Sequence, residues 1–261
     1  MLKPTALEEL YLLAKKFDAD VVCCERFNAE NFATKNFQTM TWQKGGIANK
    51  PTLEPKDLEE RVQRILDEKY CVTPWCKLVR RDLMIEHEIF FPHTTISDDD
   101  IWTFGLVFYA EKFLRVPNVV YIYRGNEESI LQRKKTTEEH LIFWTNPILL
   151  ALKTLDNLMG NLEFFQKNPR LRYAVLEKFI TSKILYPHIN KWHLSPFKIY
   201  ETIKKEFGAK FGEHDVLVSA LCTYAMNLQK NYYESVQNSN RFAEQAQKRI
   251  AQLEAELARK N

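Results

Sequence analysis

Glycine and proline are scarce in this chain, at 7 and 10 of 261 residues. That scarcity argues against a turn-dense β sandwich and for a helix-heavy chain. No uncharged run approaches 18 residues. The most apolar stretch, Leu141 to Leu152, is too short to span a bilayer. Charge of either sign is not in excess: 37 basic residues against 34 acidic ones leave +3, so no nucleic-acid partner is expected. The five cysteines, Cys23, Cys24, Cys71, Cys76 and Cys222, are an odd number with an adjacent pair inside an apolar run. They read as reduced thiols of a cytosolic protein. Cys71 and Cys76 have no matching second pair in the sequence, which speaks against zinc. No charged start leads into a long apolar run, so no signal peptide is expected. The location expected is cytoplasmic, with peripheral contact at an inner membrane as the outer limit.

What is present is a core-forming composition, 45% hydrophobic and 13% aromatic. Its most unusual stretch is His93 to Phe104, where Ser97-Asp98-Asp99-Asp100 opens a helical pattern behind Phe90-Phe91-Pro92. Three carboxylates at the mouth of a helix suit three roles: a cap, a metal site or a catalytic base. Ser97 with Asp100 approximates a capping box, and acids in a first turn complement the helix dipole. Ile101, Phe104, Gly105 and Phe108 recur at helical spacing and predict one apolar face, with the helix running to about Leu114. Under the functional reading, one carboxylate is a general base whose pKa its neighbours shape.

Along the chain, Pro4 starts a helix with Leu7, Leu10, Tyr11 and Ala14 on one face. Val21-Val22-Cys23-Cys24 follows as a short buried strand, so an α/β layer is expected. Gln38 to Trp42 reads as a strand before a Gly45-Gly46 turn. Lys56 to Tyr70 reads as a helix with Leu58, Val62 and Ile65 inward. Cys71 to Trp75 is extended, Lys77 to His87 helical, Ile89 to Phe91 strand-like, and Asn118 to Tyr123 a β-rich run. Beyond Arg133 only helices are expected: Thr137 to Gly160, Pro169 to Tyr186, Pro196 to Phe207, and Asp215 to about Lys260. The last carries Ala243, Ala246, Ile250, Leu253 and Leu257 at three- and four-residue spacing, a short coiled-coil seam. That seam serves either self-association or packing on its own domain.

Four pieces in order resemble family 2 glycosyltransferases, the inverting, nucleotide-sugar-dependent enzymes of GT-A fold. Leu2-Lys3-Pro4 with Ala6 to Leu10 and Ala19-Asp20-Val21-Val22 resembles the helix and strand after that family's Asp-x-Asp motif. Trp75-Cys76-Lys77-Leu78-Val79-Arg80-Arg81-Asp82-Leu83 is similar to the segment before its acceptor site. Asp98-Asp99-Asp100-Ile101-Trp102 resembles its Glu-Asp motif, and Tyr121, Tyr123, Arg124 and Ser129 its Tyr-x-Tyr-Arg…Ser-Ile ending. The resemblance implies that Asp99 is the general base, with Asp98 its neighbour. Because Asp98 stands where the family has Glu, and Asp100 makes a third acid, the register could slip by one. It implies for Trp102 either an apolar platform under a sugar face or a core aromatic. Arg124 would neutralise a leaving diphosphate or pair with an acid.

The resemblance also implies a missing part. The nucleotide-binding half, with the Asp-x-Asp that holds magnesium or manganese, is expected ahead of Met1, so the divalent cofactor's ligands are not in this sequence. Asp18-Ala19-Asp20 has the spelling but stands where the family has a turn. The fold expected is an incomplete GT-A-like, Rossmann-like sheet layer over 1–133, a helical domain over 134–225, and a long C-terminal helix over 226–261. Val21 to Cys24 should then be an unpaired apolar edge. The function implied is sugar transfer from a nucleotide-sugar to a glycan or lipid-linked acceptor in bacterial surface polysaccharide assembly, with this chain alone incomplete. The rivals are a non-catalytic module that associates through its terminal helix or exposed sheet edge, and a truncated gene product.

Overall fold

The computed structural model describes residues 1–30, 36–41, 48–94, 96–124, 136–191, 195, 198–199, 201 and 214–258. It is a mixed α/β fold in which a curled five-stranded sheet meets a group of helices. The chain enters through α1 (Ala6–Phe17), which buries Ala6 and Leu10 on the sheet. Leu7 and Tyr11, expected on that face, are instead exposed at 63% and 56%. The inward stripe runs through Ala6, Leu10, Leu13, Ala14 and Phe17.

Strand β1 (Val21–Glu30) is the centre of the sheet rather than its margin. Strand β5 (Phe113–Tyr123) runs parallel to it on one side. On the other side β4 (Lys77–Val79) pairs antiparallel with its first half, and β2 (Phe37–Thr41) with its second half. The short β3 (Thr52–Leu53) closes the far side against β5. Val21 to Cys24 is therefore not an unpaired edge: Val21 faces Val79 across one ladder and Phe113 across the other, and all four residues are buried. Their continuous apolar run is what a strand covered on both faces requires. Among the described residues, β4 pairs with β1 alone.

Several local expectations change for tertiary reasons. Lys77 to His87 divides into β4 and the short α3 (Arg81–Glu86), because β1 offers a ladder to Lys77, Leu78 and Val79. Ile89 to Phe91 forms no strand; Ile89 is buried under a helix while Phe90 and Phe91 are exposed. The helix after the acids, α4 (Asp98–Tyr109), stops before Leu114, since Phe113 and Leu114 are taken by β5. It is buried on every side from Asp100 to Phe108, so the expected single apolar face is a full circumference. Helix α2 (Leu58–Leu66) begins where Asp57 accepts the Glu60 N–H at 2.9 Å. Trp42, the Gly45-Gly46 turn, Ser129 and most of Pro196 to Phe207 lie outside the described residues, as does the boundary expected near 133.

The helical part starts with α5 (Thr137–Gly160), opened by a capping box between Thr136 and Glu139. After α6 (Glu163–Lys167), α7 (Pro169–Ile180) widens into π-helical turns at Thr181–Leu185 and Pro187–Lys191. Helix α8 (His214–Ala258) is continuous for 45 residues. Ala220 is buried and Tyr224 and Leu228 pack on the core, whereas residues 231–250 are exposed throughout. One buried cluster runs from Ala6 to Ala220 and joins sheet and helices. Among the described residues, no helix is long and apolar enough to cross a membrane.

Candidate functional site

Helix α4 presents its acids at its first turn, and its seating explains their geometry. Ser97 adopts a left-handed backbone (φ 63°) and makes no side-chain cap, so the expected capping box is absent. Asp99 takes up a capping role instead: its Oδ1 accepts the Asp100 N–H at 2.9 Å. Further along, Thr103 Oγ1 donates to the Val72 carbonyl at 2.8 Å, and Gly105 crosses so close to Ile89 that a Cβ would stand 2.9 Å from Ile89 Cγ2. At the C-terminal end the buried Arg61 guanidinium binds the Val107 and Glu111 carbonyls at 2.9 and 3.2 Å, and also that of Ala110. It thereby satisfies acceptors that a helix end leaves open.

The three acids have different surroundings. Asp98 and Asp99 are half-buried, whereas Asp100 is 3% exposed and its Oδ2 lies 2.6 Å from Lys183 Nζ. Asp100 is thus an ion-paired anchor. Burial pushes the Asp99 carboxyl above the ordinary range, and the neighbouring charges of Asp100 and Asp98 push the same way. The Lys183 ammonium and the Asp100 N–H pull it back. Beside these acids lies a cavity of about 460 Å³ between α4, α7 and the segment after α2. Asp100, Phe104, Tyr70, Val72, Lys178 and Lys183 are among its lining.

Trp102 takes the core reading, at 6% exposed. Its ring stacks on Phe91 with centroids 4.9 Å apart, and Lys77 Nζ stands 5.8 Å from its centre. The aromatic surface open to a ligand there belongs to Phe91, 45% exposed, which the sequence reading passed over. Arg124 stands apart from the acids, exposed at the end of β5, where it contacts Met1 Sδ at 3.0 Å. A second aromatic group forms on the sheet, where Trp75 stacks on Tyr121 at 4.0 Å with Tyr123 at 6.0 Å.

Four of the described carboxylates are ill suited to magnesium or manganese. Asp18 is held by Arg80 at 3.0 Å and Lys112 at 2.8 Å, contacts that lower its carboxyl from the usual range. Asp20 receives Arg80 at 3.1 Å and the Lys112 N–H at 2.9 Å. Buried Glu25 and Glu54 are committed to Arg115, and Glu54 also binds Arg64 at 2.7 Å and the Tyr70 hydroxyl at 2.8 Å. Their charges are neutralised by side chains, so these four offer no hard-oxygen cage. This buried network and the Lys183 contact were not readable from spacing, because their members come from separate elements.

No family model matches this chain, and no curated protein matches it. Among solved structures it has a weak likeness to residues 1–349 of S. aureus TarS, with a TM-score of 0.35 and 12% identity. That likeness covers 87% of this chain, which spans 64% of the other. A likeness at this level fixes neither fold family nor activity.

Proposed function

We propose that this chain is the acceptor side of a family 2-like inverting glycosyltransferase of GT-A type, moving a sugar from a nucleotide-sugar to a glycan or lipid-linked acceptor of a bacterial surface polysaccharide. One observation carries the reading: Asp99 is a half-buried carboxylate with a raised pKa at the mouth of a fixed helix. Such a group is poised to take a proton from an acceptor hydroxyl as that oxygen attacks an anomeric carbon. Asp100 with Lys183 would hold the turn that presents it, Asp98 would bias its charge, and Phe91, stacked on Trp102, would offer the apolar sugar platform. Arg124 would meet diphosphate only if the donor lies over the end of β5.

In this reading, donor and divalent metal would be held by residues outside this sequence, and Asp18, Asp20, Glu25 and Glu54 are already tied up by arginine and lysine side chains. Among the described residues β2, β3 and β4 each pair with a single strand, so the margins open to further strands lie there and not at Val21 to Cys24. The test is calorimetric titration with uridine, guanosine and thymidine donors in the presence of manganese or magnesium. No binding at about 10 μM or tighter, roughly −7 kcal/mol, is expected for this chain alone. With the donor half supplied, Asp99→Asn should lower turnover by about 10²–10⁴-fold and leave donor affinity unchanged. Equal losses at Asp98 and Asp100 would remove Asp99 from the role.

A second reading, a non-catalytic assembly module, is favoured by α8. Its projecting turns expose Tyr232, Phe242 and Ile250 at 67%, 71% and 55%. The seam expected through Ala243, Ala246 and Ile250 is exposed along the chain's own helix, which suits pairing with a second copy.

A further inference from the structure

The sheet gathers three cysteines that the sequence keeps far apart. Cys23 lies on β1, Cys71 follows α2, and Cys76 ends the 3₁₀ turn Pro74–Cys76 that leads into β4. Pairing of Cys23 with Lys77 across the β1–β4 ladder brings the first beside the other two. Their Sγ atoms all lie within 4.8 Å of one another, Cys71 and Cys76 at 3.2 Å, and each residue is 1–2% exposed. Cys24, the next residue on β1, is outside the group, as side-chain alternation along a strand requires.

We infer that Cys23, Cys71 and Cys76 form a three-thiolate site for one thiophilic divalent cation of the zinc class. Thiolate sulfurs around zinc stand about 2.3 Å from the metal, which sets them roughly 3.8 Å from each other in a tetrahedron. The trio, within 4.8 Å throughout and with Cys71 and Cys76 at 3.2 Å, lies close enough to reach that triangle with side-chain shifts of a few tenths of an ångström. A disulfide would use two of the three sulfurs and leave the third without a purpose. Thr73 Oγ1 stands beside the trio, 3.2 Å from Cys71 Sγ and 3.3 Å from Cys76 Sγ, and donates to the latter, so it can hydrogen-bond a thiolate there; water would take the fourth position. Three thiolates and one divalent cation sum to a single negative charge. The Lys77 ammonium, 3.9 Å from Cys76 Sγ and 2.7 Å from the Thr73 carbonyl, is placed to offset it. Binding breaks the S–H bonds of the ligating thiols, forms three metal–sulfur bonds and releases the thiol protons to water; no electron is transferred. The ion would bind the Cys71–Cys76 turn to β1 and so fix β4, independently of any sugar chemistry.

The test uses the full chain, reduced and stripped with a chelator, titrated first with Co²⁺ and then with Zn²⁺. The expected result is a sulfur-to-cobalt charge-transfer band saturating at one equivalent and abolished by Zn²⁺. The zinc dissociation constant should be about 1 μM or tighter. Cys71→Ser should lose the band and Cys24→Ser should keep it. If Cys71→Ser does not fold, iodoacetamide labelling of the wild type in a urea concentration that opens the buried thiols decides, since Zn²⁺ should protect Cys23, Cys71 and Cys76 together. Absence of the band in the reduced chain, or labelling unaffected by Zn²⁺, would overturn the site. So would a Cys71–Cys76 disulfide as the only change the thiols undergo.

Discussion

Lys183 Nζ lies 2.6 Å from Asp100 Oδ2, and this contact joins a π-helical turn of the helical part to the acid-bearing first turn of α4. The same ammonium lowers the pKa of Asp99, so one lysine holds one acid and tunes the next. Lys183→Met should make Asp99 titrate higher than in the wild type, as read by carboxyl-carbon NMR. It should also cost on the order of 2–3 kcal/mol in urea unfolding. That is below the roughly 3–5 expected of a fully buried pair, because Lys183 is partly exposed. Adding Asp100→Asn removes the orphaned charge and should recover most of the loss.

Asp99 makes a separate pH signature. Its folded pKa is raised, so the folded state holds that proton more tightly than the unfolded chain does. Its contribution is therefore favourable below the ordinary carboxylate pKa of about 3.9 and is lost as pH rises through the raised value. Asp99→Asn should gain stability over the wild type at about pH 7 and lose that advantage near pH 3. Denaturation midpoints across that window provide the measurement, and a constant difference would contradict the assignment.

Arg115 is the pivot of the buried network under the sheet, with Glu25 and Glu54 both bound to its guanidinium and all three shielded from water. Arg115→Met leaves two buried carboxylates without their shared cation. A loss of about 3–5 kcal/mol is expected in chemical denaturation. A change under 1 kcal/mol would show that water reaches these groups.

The projecting part of α8 should govern association and leave the fold alone. Deleting Gln237 to Asn261 removes a segment whose described side chains are exposed, so the melting temperature of the remainder should not move. Sedimentation should show the full chain dimerising with concentration and the shortened chain monomeric. Equal behaviour of the two would assign the exposed stripe to no self-contact.

Helix positions were readable where periodicity was carried by the chain itself: Val62 and Ile65 in α2, the span Thr137 to Gly160, and the long terminal helix. Lys77 to Val79 was not, because its strand state comes from the ladder that β1 provides. The length of α4 was overestimated at Phe113 and Leu114, whose apolar character serves β5 equally well. The acids at Asp98 to Asp100 were visible as a cluster, but their division of labour depends on Lys183, some eighty residues downstream. Cys23 could not be joined to Cys71 and Cys76 from spacing, since strand pairing alone brings it to them.

Helix α8 has one more consequence, for distances between copies. At about 1.5 Å per residue, the stretch from Leu228 to Ile250 reaches about 33 Å beyond the last turn seen to pack. A compact chain of this length has a radius of gyration of only about 18 Å. Two copies zipped along that stretch would be set apart by a rigid spacer. Their cavities would lie side by side in a parallel pair and at opposite ends in an antiparallel one. The helix would work as a ruler that sets how far apart the two copies' cavities lie.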